Sequence, residues 1–336
     1  MVRRTRWPWR GFVQAMNMTL RSRAHSSVSR ILVTGGAGFI GSHLVETALD
    51  QGYDVRVFDD LSTGSLRNLE AVEDNPHLEF MRGDVRRVRQ ICAAFDGVDV
   101  VVHLAALVSV PLSIKAPAST LITNTLGTLN VLDKAVRGRV RRMVYASTCA
   151  VYGEPPEVPV REDSPLSPLS PYAASKLAGE AICDAYAATH GLETVCLRFF
   201  NVYGRRQSPG PYSGVVTSFL DCLRRDLPIT IYGDGAQTRD FINVADVADA
   251  ILRASVAGMN SAAKGSAKIN VGTGSGVSIN DLAALILRLG GKTMVPKHEP
   301  LRVGEIRHSV ADTAHAWMVL GFRASVPLEV GLRQLL

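Results

Sequence analysis

The chain is poor in cysteine, in aromatic residues and in long apolar runs. Its five cysteines (Cys92, Cys149, Cys183, Cys196, Cys222) are odd in number, widely spaced and never form C-x-x-C. That pattern excludes a disulfide framework and a cysteine-ligated zinc site, and it suits a reduced, cytoplasmic setting. No apolar run reaches the roughly 18 residues a membrane span needs. The most apolar stretch, 100–110, is interrupted by His103. Internal repeats, coiled-coil heptads and an apolar secretory leader are missing as well.

Acid is absent from residues 1–30, which carry seven arginines (Arg3, Arg4, Arg6, Arg10, Arg21, Arg23, Arg30). Residues 1–29 show neither helix nor strand period and read as a disordered basic extension. A transit peptide, or true initiation at Met16 or Met18, are the other readings. Removing those seven arginines from the 37 basic residues leaves 30 against 31 acids, so the body is nearly neutral despite a net charge of +6. A nucleic-acid partner is therefore not expected.

What is present is ordinary globular composition, 46% apolar and 20% charged, in 336 residues, enough for two cores. Short β-branched runs at 30–34, 54–58, 78–82, 99–103, 140–146 and 194–198 alternate with helical patterns at 39–50, 124–136 and 172–190. Such alternation predicts parallel pairing with right-handed crossovers, a doubly wound α/β domain of Rossmann type. Runs that are almost wholly apolar, such as 98–102 with Asp99 its one polar residue, suit a sheet covered on both faces. Beyond residue 198 the alternation weakens. The expected division is a dinucleotide domain at 30–198, to which part of 240–275 returns, and a smaller α/β substrate domain at 199–336.

The first run ends in Thr34-Gly35-Gly36-Ala37-Gly38-Phe39-Ile40-Gly41 and opens a helix. Glycines there let the backbone turn tightly and approach a diphosphate, which the helix N-terminus attracts. Asp59 ends the second run, 18 residues after Gly41, where a carboxylate can accept from both adenosine ribose hydroxyls. Its charge would repel a 2′-phosphate, so NAD is expected rather than NADP. Asp60 reads equally well as a loop acid. Asp84, at the end of the third run, could accept from the adenine amino group or cap the following helix.

Tyr172-Ala173-Ala174-Ser175-Lys176 places a phenol and an ammonium four residues apart on one helical face. A free tyrosine titrates near ~10 and is a poor base at neutral pH, but nearby cations would lower it. The phenolate could then take a proton from a carbinol as hydride leaves its carbon. Ser147-Thr148 end the fifth run at the same sheet edge, where Thr148 could instead serve as a backbone cap.

Together these residues resemble the extended short-chain dehydrogenase/reductase family, over nearly all of 30–336, and within it the UDP-sugar 4-epimerase branch. The carrying stretches are 34–41, 58–64, His103-Leu104-Ala105-Ala106, 146–153, 171–176, 197–204 and 232–241. The resemblance implies an NAD site drawn from Gly35, Gly38, Phe39, Ile40, Gly41, Asp59, Asp60, Asp84, Val85, Leu104, Ala105, Ala106, Asn124, Tyr172 and Lys176. It implies Thr148, Tyr172 and Lys176 as the catalytic residues, and Thr148, Asn201, Arg239, Arg302 and Ser309 as contacts to a UDP-sugar. No metal is implied. The two arginines suit a diphosphate by their fork geometry. It further implies a homodimer built on the 124–136 and 172–190 helices, and Val108 departs from the lysine of glucose-type members.

Two positions bear on the reaction. The family's dehydratases and decarboxylases carry a carboxylate two residues after the threonine; here that position is Ala150. Epimerisation needs hydride out at C4, rotation of the 4-keto sugar, and hydride back. A dehydratase, decarboxylase or reductase acting on a nucleotide sugar is the alternative. Ser309 falls where some epimerases carry tyrosine, leaving room for a 2-acetamido group, so UDP-GlcNAc/UDP-GalNAc is expected alongside UDP-glucose/UDP-galactose. Neighbouring bulk could equally fill that gap.

Overall fold

A computed structural model describes residues 28–208, 214–256, 265–301 and 306–336. The expected basic extension, apart from its last two residues, and Arg302 lie outside the described residues.

Seven strands form one parallel sheet: β1 (Arg30–Thr34), β2 (Asp54–Asp59), β3 (Leu78–Arg82), β4 (Val100–His103), β5 (Arg142–Thr148), β6 (Glu193–Phe199) and, after three short strands of the second unit, β10 (Ser266–Val271). Their order is β3-β2-β1-β4-β5-β6-β10, the doubly wound arrangement with a seventh strand added at one edge. Side chains alternate between two apolar layers. Ile31, Val33, Val55, Val57, Val100, Val102 and Val144 face one side, where α1 (Phe39–Asp50) packs with the late helix 244–256. Leu32, Phe58, Val101, Met143 and Tyr145 face the other, under the helices 127–137 and 171–190. Burial on both faces explains the short apolar runs at the centres of strands such as β1 and β4.

The helices differ from expectation mainly at their starts. Helical backbone begins at Val110–Lys115 (α2) and Pro117–Leu121 (α3), passes through a π-helical segment at Ile122–Leu126, and continues as α4 (Gly127–Arg137). The Val140 N–H turns back to the Ala135 carbonyl, so β5 starts at Arg142 rather than at residue 140. The long helix α5 (Pro171–His190) has Ser170 capping the Ala173 N–H, proline in its first turn, and left-handed Gly191 at its end, each a helix boundary signal.

The second unit has its own core of Tyr203, Phe219, Ile231, Phe241, Leu282 and Ile286 among others. There β7 (Asn201–Tyr203) pairs with β9 (Thr238–Asn243), which also pairs with β11 (Gly276–Ser278) and β13 (His308–Ser309). A separate two-stranded ribbon joins β8 (Thr230–Tyr232) to β12 (Lys297–Glu299). From β9 the chain returns through α6 (Val244–Val256) to the first sheet, where β10 pairs with β6. No helix among the described residues is long and apolar enough to cross a membrane.

Candidate active site

Register aligns Met81, Phe58, Thr34, His103 and Tyr145 in one row across five parallel strands. The C-terminal ends of these strands therefore deliver Gly35, Asp59, Asp84, Leu104 and Thr148 to one edge of the sheet. That edge is where open α/β sheets bind ligands.

The glycine turn is built for close approach. Gly35 has φ +73°, and a Cβ there would sit 2.7 Å from the Ala105 nitrogen. A Cβ on Gly41 would press on the Gly35 carbonyl oxygen. Gly38 caps α1 with no side-chain hydrogen bond, so no side chain covers the helix N-terminus. Phe39 and Ile40 form its half-buried first turn. This donor-rich cradle fits a dinucleotide diphosphate.

Asp59 is 6% exposed and braces the cradle: its carboxylate accepts from the Ala37 N–H at 3.0 Å and the Leu61 N–H at 2.8 Å. Burial pushes this carboxyl above the usual range, with those two N–H groups opposing. Asp60 accepts from the Ser62 N–H at 2.8 Å. Asp84 does not cap a helix. Arg86 forks its carboxylate at 2.8 and 2.9 Å and holds it below the usual carboxylate range, and the next helix is capped by Arg87. Val85 is buried against Gly127, and its carbonyl accepts from Asn130 at 2.9 Å.

A hydrogen-bond chain runs from this turn to the catalytic helix. The Thr34 hydroxyl meets His103 Nδ1 at 2.7 Å, and His103 Nε2 meets the Thr128 hydroxyl at 3.0 Å. Thr128 donates to the Asn124 carbonyl at 2.5 Å, so it accepts from Nε2–H and leaves Nδ1 to accept from Thr34. Asn124 Nδ2 donates to Ser175 at 2.9 Å and to the Leu107 carbonyl at 3.0 Å, while its Oδ1 accepts from the Leu107 N–H at 2.8 Å. Ser175 in turn donates to the Tyr172 carbonyl at 2.7 Å. Asn124 thus ties the loop after β4, including Ala105 and Ala106, to α5. His103 is fully enclosed, and burial lowers it to about 3, so it is neutral.

The Thr148 side chain stands beside the Tyr172 phenol and opposes the rise that burial causes there. Thr148 also accepts from the Ala150 N–H at 3.2 Å, so it is both a cap and a neighbour of the phenol. Lys176, 3% exposed, donates to the Ala146 carbonyl at 2.8 Å. Burial pushes Tyr172 up to about 12, with Thr148 opposing, and Lys176 is itself pulled down to about 8 by burial. One donor of the lysine's ammonium is held by β5.

On the second unit, Ser309 lies beside Arg239 in register and near the Cys149 thiol, next to Thr148. Arg239 Nη1 donates to the Thr238 carbonyl at 2.9 Å. Asn201 lines a cavity of about 180 Å³ with Val202, Gln207, Gly214, Val215 and Phe241. The structure thus brings Thr148, Tyr172, Lys176, Asn124 and Ser309 around one edge. Sequence reasoning missed His103 as a bridging group and Asp240, whose buried carboxylate gathers the Thr273, Gly274 and Ala311 N–H groups. Both lie inside the motifs 103–106 and 232–241, and that was the available signal. Among the described residues no group of three or more His, Cys, Asp or Glu could hold a metal ion.

Comparison with known proteins matches this geometry. The model of the NAD dependent epimerase/dehydratase family matches residues 31–272. A UDP-glucose 4-epimerase of Mycolicibacterium smegmatis is 39% identical over 306 residues, 90% of this chain and 96% of the relative. The crystal structure of a Thermotoga maritima UDP-glucose 4-epimerase with UDP-glucose superposes with TM-score 0.84 at 37% identity, covering 90% of this chain and 96% of that one. A UDP-N-acetylglucosamine 4-epimerase of Methanobrevibacter ruminantium, in complex with UDP-N-acetylmuramic acid, gives TM-score 0.85 at 33% identity over 91% and 96%. The chain belongs to the NAD-dependent epimerase/dehydratase family, the extended short-chain dehydrogenases/reductases, and within it to the branch of the UDP-sugar 4-epimerases, which are NAD-dependent isomerases.

Proposed function

We propose that this enzyme inverts C4 of UDP-glucose and UDP-galactose, and also of UDP-GlcNAc and UDP-GalNAc. The observation that carries the reading is that Tyr172 and the buried Lys176 ammonium stand one turn apart on α5 against the end of β5, where Thr148 lies beside the phenol. Thr148 orients the sugar O4, and Tyr172 takes its proton and later returns it. Lys176, an anchored cation beside the phenol, favours the ionised form of Tyr172. NAD, when bound, supplies the acceptor and donor of the C4 hydride. The Gly35–Gly41 turn holds its diphosphate and Asp59 its adenosine ribose, with Asp60, Asp84, Val85, Leu104, Ala105, Ala106 and Asn124 completing the site.

Asn201, Arg239 and Arg302 grip the uridine diphosphate, while the sugar remains free to turn over between the two transfers. Ala150 offers no acid to expel a hydroxyl, which disfavours elimination. Ser309 leaves space for the acetamido group. The nucleotide sugar thus sits mainly on residues 199–336, and NAD on 30–198 with the returning segment.

The enzyme is taken as a cytoplasmic homodimer. Leu121, Ile122, Leu126 and Leu129 are 42%, 48%, 43% and 37% exposed on the same run of helix, an apolar face a second copy would cover.

Incubation of the purified protein with UDP-galactose or UDP-GalNAc, without added oxidant, tests the reading. It requires the C4 epimer to accumulate to equilibrium; net NADH production instead would indicate a dehydrogenase.

A further inference from the structure

The catalytic helix carries a third buried ionisable group that takes no part in the proton and hydride transfers. Tyr172, Lys176 and Glu180 succeed one another at four-residue spacing on α5, so all three face the same way. The last three residues of β5 meet them. Thr148 stands beside Tyr172, the Ala146 carbonyl accepts from Lys176 at 2.8 Å, and the Ser147 hydroxyl donates to Glu180. Arg198 is the register partner of Ser147 on β6, and it forks the same carboxylate at 3.0 and 2.7 Å. Its remaining nitrogen donates to the Tyr152 hydroxyl at 2.9 Å and the Glu162 carbonyl at 2.9 Å.

Glu180 and Arg198 are each 2% exposed. A buried ion pair is poor value as a staple, because desolvation offsets its attraction and apolar residues of similar size do as well. Its charge is a different matter. Facing Lys176 are the Tyr145 ring 5.0 Å away and the Ala146 carbonyl from β5, neutral His103 from β4, and Tyr172, Glu180 and Cys183 from its own helix. Arg198 faces it from β6 only through Glu180. Of these groups Glu180 is the one carboxylate.

We propose that Glu180 is a positioning residue for the Tyr172–Lys176 pair: pinned by Ser147 and Arg198, it sets α5 against β5 and supplies the negative charge that keeps the buried lysine protonated. This rests on Tyr172 and Lys176 being the acting pair. Burial alone draws Lys176 toward deprotonation, and Cys183 and the Glu180 carboxylate oppose that pull. Without the carboxylate the ammonium is lost at lower pH, and with it the cation that favours the ionised phenol.

The test is the pH profile of kcat for UDP-galactose epimerisation in E180Q, E180D and Y172F. In E180Q, kcat at pH 8 falls about tenfold or more and the alkaline limb moves down by about one pH unit. KM for the UDP-sugar stays within about twofold, since no substrate contact is touched. E180D keeps the charge and keeps the limb in place. Should E180Q fail to fold, E180Q/R198M leaves neither partner stranded, and the same downward movement of the limb is expected. A folded, NAD-loaded E180Q or E180Q/R198M with the wild-type limb overturns the proposal, even with Y172F inactive. A fully active Y172F would instead overturn the assignment beneath it.

Discussion

The Lys176 ammonium donates to the Ala146 carbonyl at 2.8 Å while Tyr172, one helical turn earlier, stands beside the Thr148 side chain two residues further along the same strand. The two side chains thus meet β5 in parallel. In the proposed mechanism Lys176 biases the phenol as a fixed charge, and a fixed charge is lost when it deprotonates.

The first prediction concerns pH. Lys176 lies near 8 against 10.5 for an ordinary lysine. If its ammonium is required, kcat/KM for UDP-galactose, which reports the free enzyme, declines above about pH 8. K176M is slow at every pH and lacks that limb. A wild-type profile flat to pH 10 would separate activity from the lysine charge.

Removing the phenolic oxygen removes the base. Y172F should lose about 10²–10⁴-fold in kcat while circular dichroism and UDP affinity remain those of the wild type. Retained turnover would show that another group moves the O4 proton.

Acid sensitivity should trace to His103. Its folded value near 3 lies below the ordinary 6.5. Between those values the unfolded chain binds a proton that the folded chain does not, so stability falls as pH drops from 6.5 to 3. Urea denaturation at pH 7 and pH 4.5 should show a larger loss for the wild type than for H103Q, which cannot protonate. Equal losses would mean the histidine contributes nothing to acid unfolding.

Substrate breadth should turn on Ser309, 7% exposed beside Cys149. S309Y should depress UDP-GalNAc turnover by about tenfold or more and spare UDP-galactose, because the added ring occupies the acetamido space. Equal effects on both sugars would remove that residue from discrimination.

Association should depend on the exposed leucines. L126E places a charge on a face that would be desolvated in a dimer and should yield monomers in sedimentation. An unchanged sedimentation coefficient would move the interface elsewhere.

Legibility in the sequence depends on what leaves a periodic trace. The doubly buried strand Val100–His103 is apolar up to its last residue, and α5 announces itself through Ser170, Pro171 and Gly191. The three-residue strands β7, β8, β11 and β12 are too short to carry a period and leave no such signal. Among site residues, the glycine turn and the Tyr172–Lys176 spacing are local and can be read directly. The Arg86 fork on Asp84 and the Arg198 fork on Glu180 depend on rotamers and on a neighbouring strand. A buried acid on a helix looks the same in sequence as a solvated one. Spacing places Tyr172 and Lys176 on one face, but burial decides which charge they tolerate.

The most direct test of the central claim traces an isotope. UDP-galactose carrying deuterium at C4 is incubated with the enzyme in ordinary water, and the UDP-glucose formed is examined at C4. If the hydride that leaves is the one that returns, the label stays at C4 of the product. Deuterium washed out to solvent would mean that C4 is inverted by proton exchange, contradicting the assignment of the Tyr172 edge.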